Sequence, residues 1–138
     1  MTTIKVFGHI SPDTDATSCP IIWAWYLNNH TTLKAEAYVL GEFNKEAKFV
    51  LSRWGHKEPQ LLEKVTPEDT IVIVDTNNPQ ELLDGVNDAN ILQIIDHHKL
   101  VGGLSTKFSQ VAEFFTSFKV HHLPICENDV LIGMVKIG

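Results

Sequence analysis

Three side chains that commonly bind divalent cations, His9, Asp13 and Asp15, lie within seven positions of one another near the start of the chain. Gly8 ends the apolar run before them, and Pro12 does not fit an ordinary helix interior, so we predict that they lie on a loop. One imidazole and two carboxylates suit a cation such as Mn²⁺, Co²⁺ or Mg²⁺. A plain structural interpretation is equally open, in which Asp13 or Asp15 caps the next helix and His9 is a polar turn residue.

Two further polar clusters directly follow predicted strands. Residues 70–74 (Thr-Ile-Val-Ile-Val) are apolar on both faces, as is typical of a central parallel strand, and Asp75 comes next. A strand is also predicted for 91–95, and it is followed by Asp96, His97 and His98. Because the carboxyl ends of parallel strands meet at one edge of a sheet, the three clusters are predicted to converge there. One metal site explains this convergence better than three unrelated caps.

Strands and helices alternate along the chain, which predicts an α/β fold with a mostly parallel sheet and flanking helices. Further strands are predicted for 4–7 and 33–40. Helices are predicted for 17–29, for 45–54 with Asn44 as its N-cap, and for a short segment 80–83. The first helix is apolar almost all round, so we expect most of its circumference to be covered, with Trp23 and Trp25 in the core.

The bulk properties narrow the classes of function. With 138 residues, the chain supports one compact domain or one domain plus part of a second. The formal net charge of −6 argues against duplex nucleic acid as the main partner, because such binding needs a basic face. Cys19 and Cys126 have no evident pairing, and neither a signal peptide nor a membrane-spanning run is recognisable, so a cytoplasmic protein is predicted.

The predicted ligands are too many for one ion, which indicates two metals. Two divalent ions roughly 3.5–4 Å apart can lower the pKa of a shared water and neutralise phosphate oxygens. Asp75, in the middle, is the best candidate to bridge both ions. His98 cannot easily share the metal of His97, and so is better placed to contact a substrate phosphate or donate a proton. The histidine pair could also be a surface turn, which we regard as the weaker interpretation beside Asp96.

Three ordered motifs resemble the family II inorganic pyrophosphatases of the DHH phosphoesterase superfamily, over about residues 1–103. They are Gly8-His9-Ile10-Ser11-Pro12-Asp13-Thr14-Asp15-Ala16, Asp75-Thr76-Asn77-Asn78-Pro79 and Asp96-His97-His98. The resemblance implies hydrolysis of pyrophosphate to two phosphates with two Mn²⁺ or Co²⁺ ions, Mg²⁺ being an alternative. It implies one ion held by His9, Asp13 and Asp75, and the other by Asp15, Asp75 and His97. His98 would face pyrophosphate and Asp96 would orient the site.

Two alternatives to a pyrophosphatase stay open. Related DHH phosphodiesterases, which cleave nucleic-acid ends or cyclic dinucleotides, share the first and third motifs but usually continue the middle motif with a basic residue that is absent here. A chain that only binds metal or nucleotide is the other alternative. By the resemblance, one more aspartate ligand and a second domain with basic residues lie downstream in the family, and neither is matched here. A homodimer is compatible with the resemblance.

The tail follows a different pattern, and we predict a division into an incomplete DHH-type domain, 1–104, and a partial CBS-like segment, 105–138. A helix is predicted for 108–118, followed by strands for 120–125 and 130–137, as a short βαβ-like or α-hairpin unit. The strands resemble the middle of a CBS domain, a module that often binds adenine nucleotides; a helix and hairpin that cover the sheet edge are the plainer interpretation. His121 and His122 are predicted to be strand residues rather than ligands.

Overall fold

A five-stranded sheet organises the protein. The computed structural model describes residues 2–104, 122–127 and 130–136. Within the sheet every neighbouring pair is parallel, and the strand order is β3-β2-β1-β4-β5. The strands are β1 (Ile4–Phe7), β2 (Ala35–Val39), β3 (Gln60–Leu61), β4 (Thr70–Val74) and β5 (Asn90–Ile95). The predicted α/β class and parallel sheet are therefore confirmed.

Two helices connect the strands, α1 (Thr14–His30) and α2 (Lys45–Arg53). Asn44 caps α2 by accepting a hydrogen bond from the backbone N–H of Ala47 at 2.9 Å, as predicted. The helix predicted for 80–83 is instead a single 3₁₀ turn, Pro79–Glu81, and a second 3₁₀ turn, Val86–Asp88, follows it. Pro79 suits the start of such a turn because its missing N–H has no partner to lose there.

The alternation of side chains along β1 and β4 builds a core on each face of the sheet. Val6, Val72 and Val74 pack beneath α1, while Ile71 and Ile73 face the opposite side. On that opposite side the cover comes from the segments around the two 3₁₀ turns, through Leu82, Val86 and Ala89. The strands are thus fixed from both sides, so the loops at their carboxyl ends start from rigid positions.

The outer face of α1 differs from the sequence-based expectation. Trp25 is 57% exposed and Ile22 is 62% exposed, so the prediction that most of the circumference is covered, with Trp25 in the core, is wrong. Trp23 is half-buried, and its indole N–H donates to Oε1 of Gln93 on β5 at 2.8 Å. An apolar helix alone cannot reveal which of its faces the rest of the chain leaves open.

Two strands of the tail are described, β6 (His122–Glu127) and β7 (Val130–Lys136), and they pair antiparallel. The two predicted strands of the tail are therefore present and form a hairpin; both interpretations of the tail contain them, so their pairing does not choose between the two. The helix predicted for 108–118 lies outside the described residues, as does His121. In the described part of the chain, no helix has the length and apolar character needed to cross a bilayer.

The turn that leads into β4 depends on a charged contact. Asp69 accepts a hydrogen bond from the Thr66 backbone N–H at 2.9 Å and pairs with Nζ of Lys5 on β1 at 2.9 Å. Partial burial opposes ionisation, but these contacts prevail and lower the pKa of Asp69 below its ordinary value. The contacts therefore stabilise the fold only when Asp69 is ionised.

Asp69→Asn is expected to lower the free energy of unfolding by about 1 kcal/mol near pH 7. A lowered folded-state pKa contributes stability above the unfolded pKa of about 3.9, and that stability is lost as the pH falls through the folded value. Urea unfolding at pH 7 and at about pH 3 should therefore show a smaller difference in stability between the two proteins in acid. Asp84→Asn, at an exposed carboxylate, is the control. A wild-type advantage of equal size at both pH values would contradict this explanation.

Candidate metal centre

The three motifs meet where the order of the strands reverses. β1 and β4 are neighbours although they are far apart in sequence, and β5 lies beside β4. Residues 8–15 leave the carboxyl end of β1, Asp75 follows β4, and Asp96 follows β5. In open parallel sheets, ligands bind at such a reversal because the two adjacent loops diverge and leave a crevice. The sheet thus brings together the segments predicted to form the site.

His9 presents a ring nitrogen to two carboxylates. Its Nδ1 lies 2.8 Å from the backbone oxygen of Ile10, so in the neutral ring Nδ1–H donates to that carbonyl and the lone pair remains on Nε2. Nε2 lies 3.5 Å from Oδ2 of Asp75 and 3.7 Å from Oδ1 of Asp13. These separations exceed a good hydrogen bond, and three potential ligand atoms surround one point. This donor set fits a divalent cation.

Asp75 lies between two histidines. Its Oδ2 faces His9, and its Oδ1 lies 3.0 Å from Nε2 of His97. The carboxylate is only 6% exposed, and the backbone is left-handed, with φ of 63°. Aspartate tolerates that conformation better than most residues, yet such strain concentrates at functional sites. Each carboxylate oxygen therefore faces a different imidazole, which is the arrangement expected of a bridging ligand.

Both interpretations of Asp13 hold at once. Its Oδ1 accepts a hydrogen bond from the Ala16 backbone N–H at 2.9 Å, which caps α1, and the same oxygen belongs to the cluster with His9 and Asp75. The predicted loop therefore ends at Asp13. Asp15, predicted to lie on the loop, is in the first helical turn instead, because the cap starts the helix at Thr14.

Asp15 does not join either close group of potential ligands in the described residues. It lines an open pocket of about 420 Å³ together with Asp75 and His97, the residues that the resemblance assigns to the same ion. Cys19, one turn further along α1, lines this pocket too. Burial, followed by the charges of the nearby aspartates, raises the pKa of the Cys19 thiol to about 11, so the thiol stays protonated near neutral pH.

The third motif is ordered by Asp96. Its Oδ1 accepts the backbone N–H groups of His97 at 2.8 Å and His98 at 3.2 Å, and it lies 2.6 Å from Nδ1 of His98. Partial burial alone would lower the pKa of His98, but the contact with Asp96 outweighs burial and raises it. Asp96 therefore holds the backbone of both histidines and the ring of His98, and its carboxylate also belongs to the close group of potential ligand atoms formed with Asp75, His97 and His98. That it orients the site stays a prediction.

The electrostatics of the cluster favour a bound cation. Burial, with a contribution from the Asp13 carboxylate, raises the pKa of Asp75, even though the hydrogen bond with His97 acts in the opposite direction. A buried carboxylate whose ionisation is opposed by its surroundings gains when a cation supplies the missing positive charge. Mixed imidazole and carboxylate donors suit Mn²⁺ or Co²⁺ better than Mg²⁺ alone.

Two connecting interactions were not identified from the sequence. The turn that carries Glu81 joins the first motif to the second: its backbone oxygen accepts from Ile10 N–H at 2.8 Å, and its Oε2 accepts from the Thr76 hydroxyl at 2.7 Å. Asn77 joins the second motif to the third through its side-chain amide. Its position two residues after Asp75, within a motif that ends a strand, was the available signal.

Comparisons with known proteins agree with this geometry. The model of the DHH family, N-terminal domain, matches residues 3–116. A protein of Exiguobacterium named probable manganese-dependent inorganic pyrophosphatase is 40% identical over 101 residues, which cover 72% of this chain and 32% of that protein. One of the same name from Deinococcus radiodurans is 38% identical over 103 residues, covering 75% of this chain and 32% of the relative.

A solved structure from Methanococcus jannaschii, assigned to the family II inorganic pyrophosphatases, superposes with a TM-score of 0.65. It is 33% identical to this chain, and the match covers 75% of this chain but 32% of that one. The chain thus spans about a third of the length of the proteins it matches. Membership in the DHH family, predicted from the three motifs, is confirmed, whereas the CBS resemblance of the tail stays a prediction.

Proposed function

This chain belongs to the DHH family, and on that premise we propose that it forms the metal-binding N-terminal part of a manganese-dependent inorganic pyrophosphatase. The observation that carries the proposal is the position of Asp75, whose two oxygens face His97 and His9. A carboxylate between two imidazoles at a strand reversal suits two ions better than one. The relatives' names supply the reaction, namely hydrolysis of pyrophosphate.

In this proposal, His9, Asp13 and Asp75 hold one ion, while Asp15, Asp75 and His97 hold the other. Two bound divalent ions lower the pKa of a water and neutralise phosphate charge. The chain's own contribution is positional. The cap on α1 fixes Asp13, the carbonyl of Ile10 selects the His9 tautomer, and Asp96 directs His97.

His98 is proposed to contact pyrophosphate. Its Nδ1 is engaged by Asp96, which leaves Nε2 for a phosphate oxygen, and the imidazole side chain is 53% exposed. Because the pKa of His98 is raised, a larger fraction of its side chains is protonated near neutral pH than for an unperturbed histidine. A protonated ring donates a stronger hydrogen bond to an anion than a neutral ring does.

The observation that favours a pyrophosphatase over a DHH phosphodiesterase is the middle motif. Thr76, Asn77 and Asn78 are engaged by neighbouring groups of the chain, and no basic residue follows Asp75 in this segment. A boundary near residue 104, adenine-nucleotide binding by the CBS-like tail, a homodimer and a cytoplasmic location are proposed on the sequence and the resemblance alone.

The isolated 138-residue polypeptide is expected to bind a non-hydrolysable pyrophosphate analogue only when Mn²⁺ is present, and to hydrolyse pyrophosphate poorly. The reason is that the polypeptide spans about a third of the length of its relatives, so it lacks the groups that the rest of a relative's chain would supply. Calorimetry with imidodiphosphate measures binding, and phosphate release measures turnover. A cyclic dinucleotide is the competing ligand.

Each outcome of this experiment bears on a specific claim. Mn²⁺-dependent binding of imidodiphosphate, without binding of the dinucleotide, supports the pyrophosphatase assignment. Preference for the dinucleotide would favour a phosphodiesterase. If Mn²⁺ binds but neither imidodiphosphate nor the dinucleotide does, a chain that only binds metal would be favoured. Hydrolysis at the rate of a full-length relative would refute the expected deficit of the isolated polypeptide.

A further inference from the structure

The side chain of Asn77 contacts three different parts of the segment that carries the histidine pair. Its Nδ2 donates to Oδ2 of Asp96 at 2.6 Å and to the backbone oxygen of Lys99 at 3.0 Å. Its Oδ1 accepts the backbone N–H of Val101 at 2.7 Å. The residue is 4% exposed. One buried amide therefore joins the loop after β4 to residues 96–101 after β5.

The orientation of this amide follows from its partners. Nδ2 faces two acceptors, a carboxylate and a carbonyl, whereas Oδ1 faces an N–H donor. Turning the amide over would place its oxygen against two oxygens and its nitrogen against an N–H, so all three hydrogen bonds would be lost. The network therefore admits one orientation, and a residue that lacks either the donor or the acceptor cannot replace it.

The two oxygens of the Asp96 carboxylate have different partners. Asn77 takes Oδ2, while Oδ1 receives both histidine backbone N–H groups and faces Nδ1 of His98. If Asp96 rotated, Oδ1 would leave all of these partners together. The donor from Asn77 opposes that rotation, since a buried carboxylate oxygen without a partner is costly.

We propose that Asn77 is a positioning residue: through Asp96 it sets the placement of His97 and His98 relative to Asp75. The inference rests on the proposed function for the roles of the two histidines, but not for the geometry. It predicts an asymmetric effect on metal binding. Only the ion that uses His97 depends on this network, whereas His9 and Asp13 are held by α1 and by the loop after β1.

Two variants separate action through Asp96 from simple anchoring of the backbone. Asn77→Asp keeps an acceptor for the Val101 N–H but replaces the donor with an oxygen that repels Asp96. Asn77→Ala removes all three hydrogen bonds. Asn90→Ala is the matched control, because Asn90 is exposed and its side-chain hydrogen bond, to Thr70 at 3.4 Å, is long.

The first readout is amide hydrogen exchange by NMR in metal-free protein. Exchange at the backbone N–H groups of His97 and His98 is expected to accelerate at least about 10-fold in both Asn77 variants and to stay unchanged in Asn90→Ala. If Asn77→Asp exchanges like wild type while Asn77→Ala does not, the residue only anchors the backbone at Val101, and the proposal is overturned. Equal acceleration throughout residues 2–104 would mean a general loss of stability and would overturn it too.

The second readout is titration of Asn77→Ala with Mn²⁺. One of the two bound ions should be weakened about 10-fold, within the range for residues that orient metal ligands, and the other should stay within a factor of two of wild type. Equal weakening of both ions would contradict the asymmetric role. If wild type binds no Mn²⁺ at all, the proposed function fails, while the exchange measurement still decides the role of Asn77.

Discussion

Asp75→Ala is expected to weaken binding of both metal ions at once, each by more than about 100-fold, because residues that merely orient ligands already cost 10- to 100-fold. The physical reason is that the two oxygens of Asp75 face different histidines, so one side chain serves both positions. Titration of metal-free protein with Co²⁺, followed by its visible absorption, reports each site separately. Weakening of a single ion would show that Asp75 does not bridge.

Two controls make this result interpretable. Asp75→Asn has nearly the same shape and one neutral oxygen, so it tests the role of charge with little change in packing. Asp84→Ala removes an exposed carboxylate outside the cluster and should leave both affinities unchanged. Circular dichroism of each metal-free variant shows whether it is folded. If Asp75→Ala is unfolded, the test is made with Asp75→Asn alone.

Gly8→Ala is expected to destabilise the fold by about 2 kcal/mol and to weaken the ion held by His9, the next residue. A Cβ at this position would lie 2.9 Å from Cβ of Ala16 and 3.0 Å from its backbone Cα and oxygen. Backbone atoms in the first turns of α1 cannot move aside cheaply, so either the loop or the helix must shift. Urea unfolding and Mn²⁺ titration measure the two effects.

Gly41→Ala is the matched control for this substitution. A Cβ there would lie no closer than 3.6 Å, to Cδ of Pro12, which is an ordinary contact, so stability should change little. Ala16→Gly tests the mechanism, because it removes the nearest atom in the clash. Adding it to Gly8→Ala should cost less than the sum of the two single changes. Strict additivity would mean that the close approach of Gly8 to α1 is not the cause.

The site was predictable where a strand pattern and a polar cluster coincide. Residues 70–74 are apolar on both faces, so a buried strand that ends at Asp75 follows from hydrophobicity alone. The same reasoning placed Asp96 after β5. Parallel pairing then brought both to one edge of the sheet. The chemistry of the cluster could therefore be inferred before any coordinate was known.

Other features depend on three-dimensional contacts that no local pattern encodes. The start of α1 depends on whether an Asp13 oxygen accepts the Ala16 N–H. Because it does, Asp15 lies in the helix and not on the predicted loop. The exposure of Trp25 depends on which segments cover α1. The role of Asn77 depends on partners 19 to 24 positions away in sequence.

The most direct test of a two-metal centre is calorimetric titration of metal-free wild-type protein with Mn²⁺. Two bound ions per chain are predicted, since one group of ligand atoms surrounds His9 and another surrounds His97, with Asp75 common to both. A folded chain that binds a single ion, or none, would contradict the account.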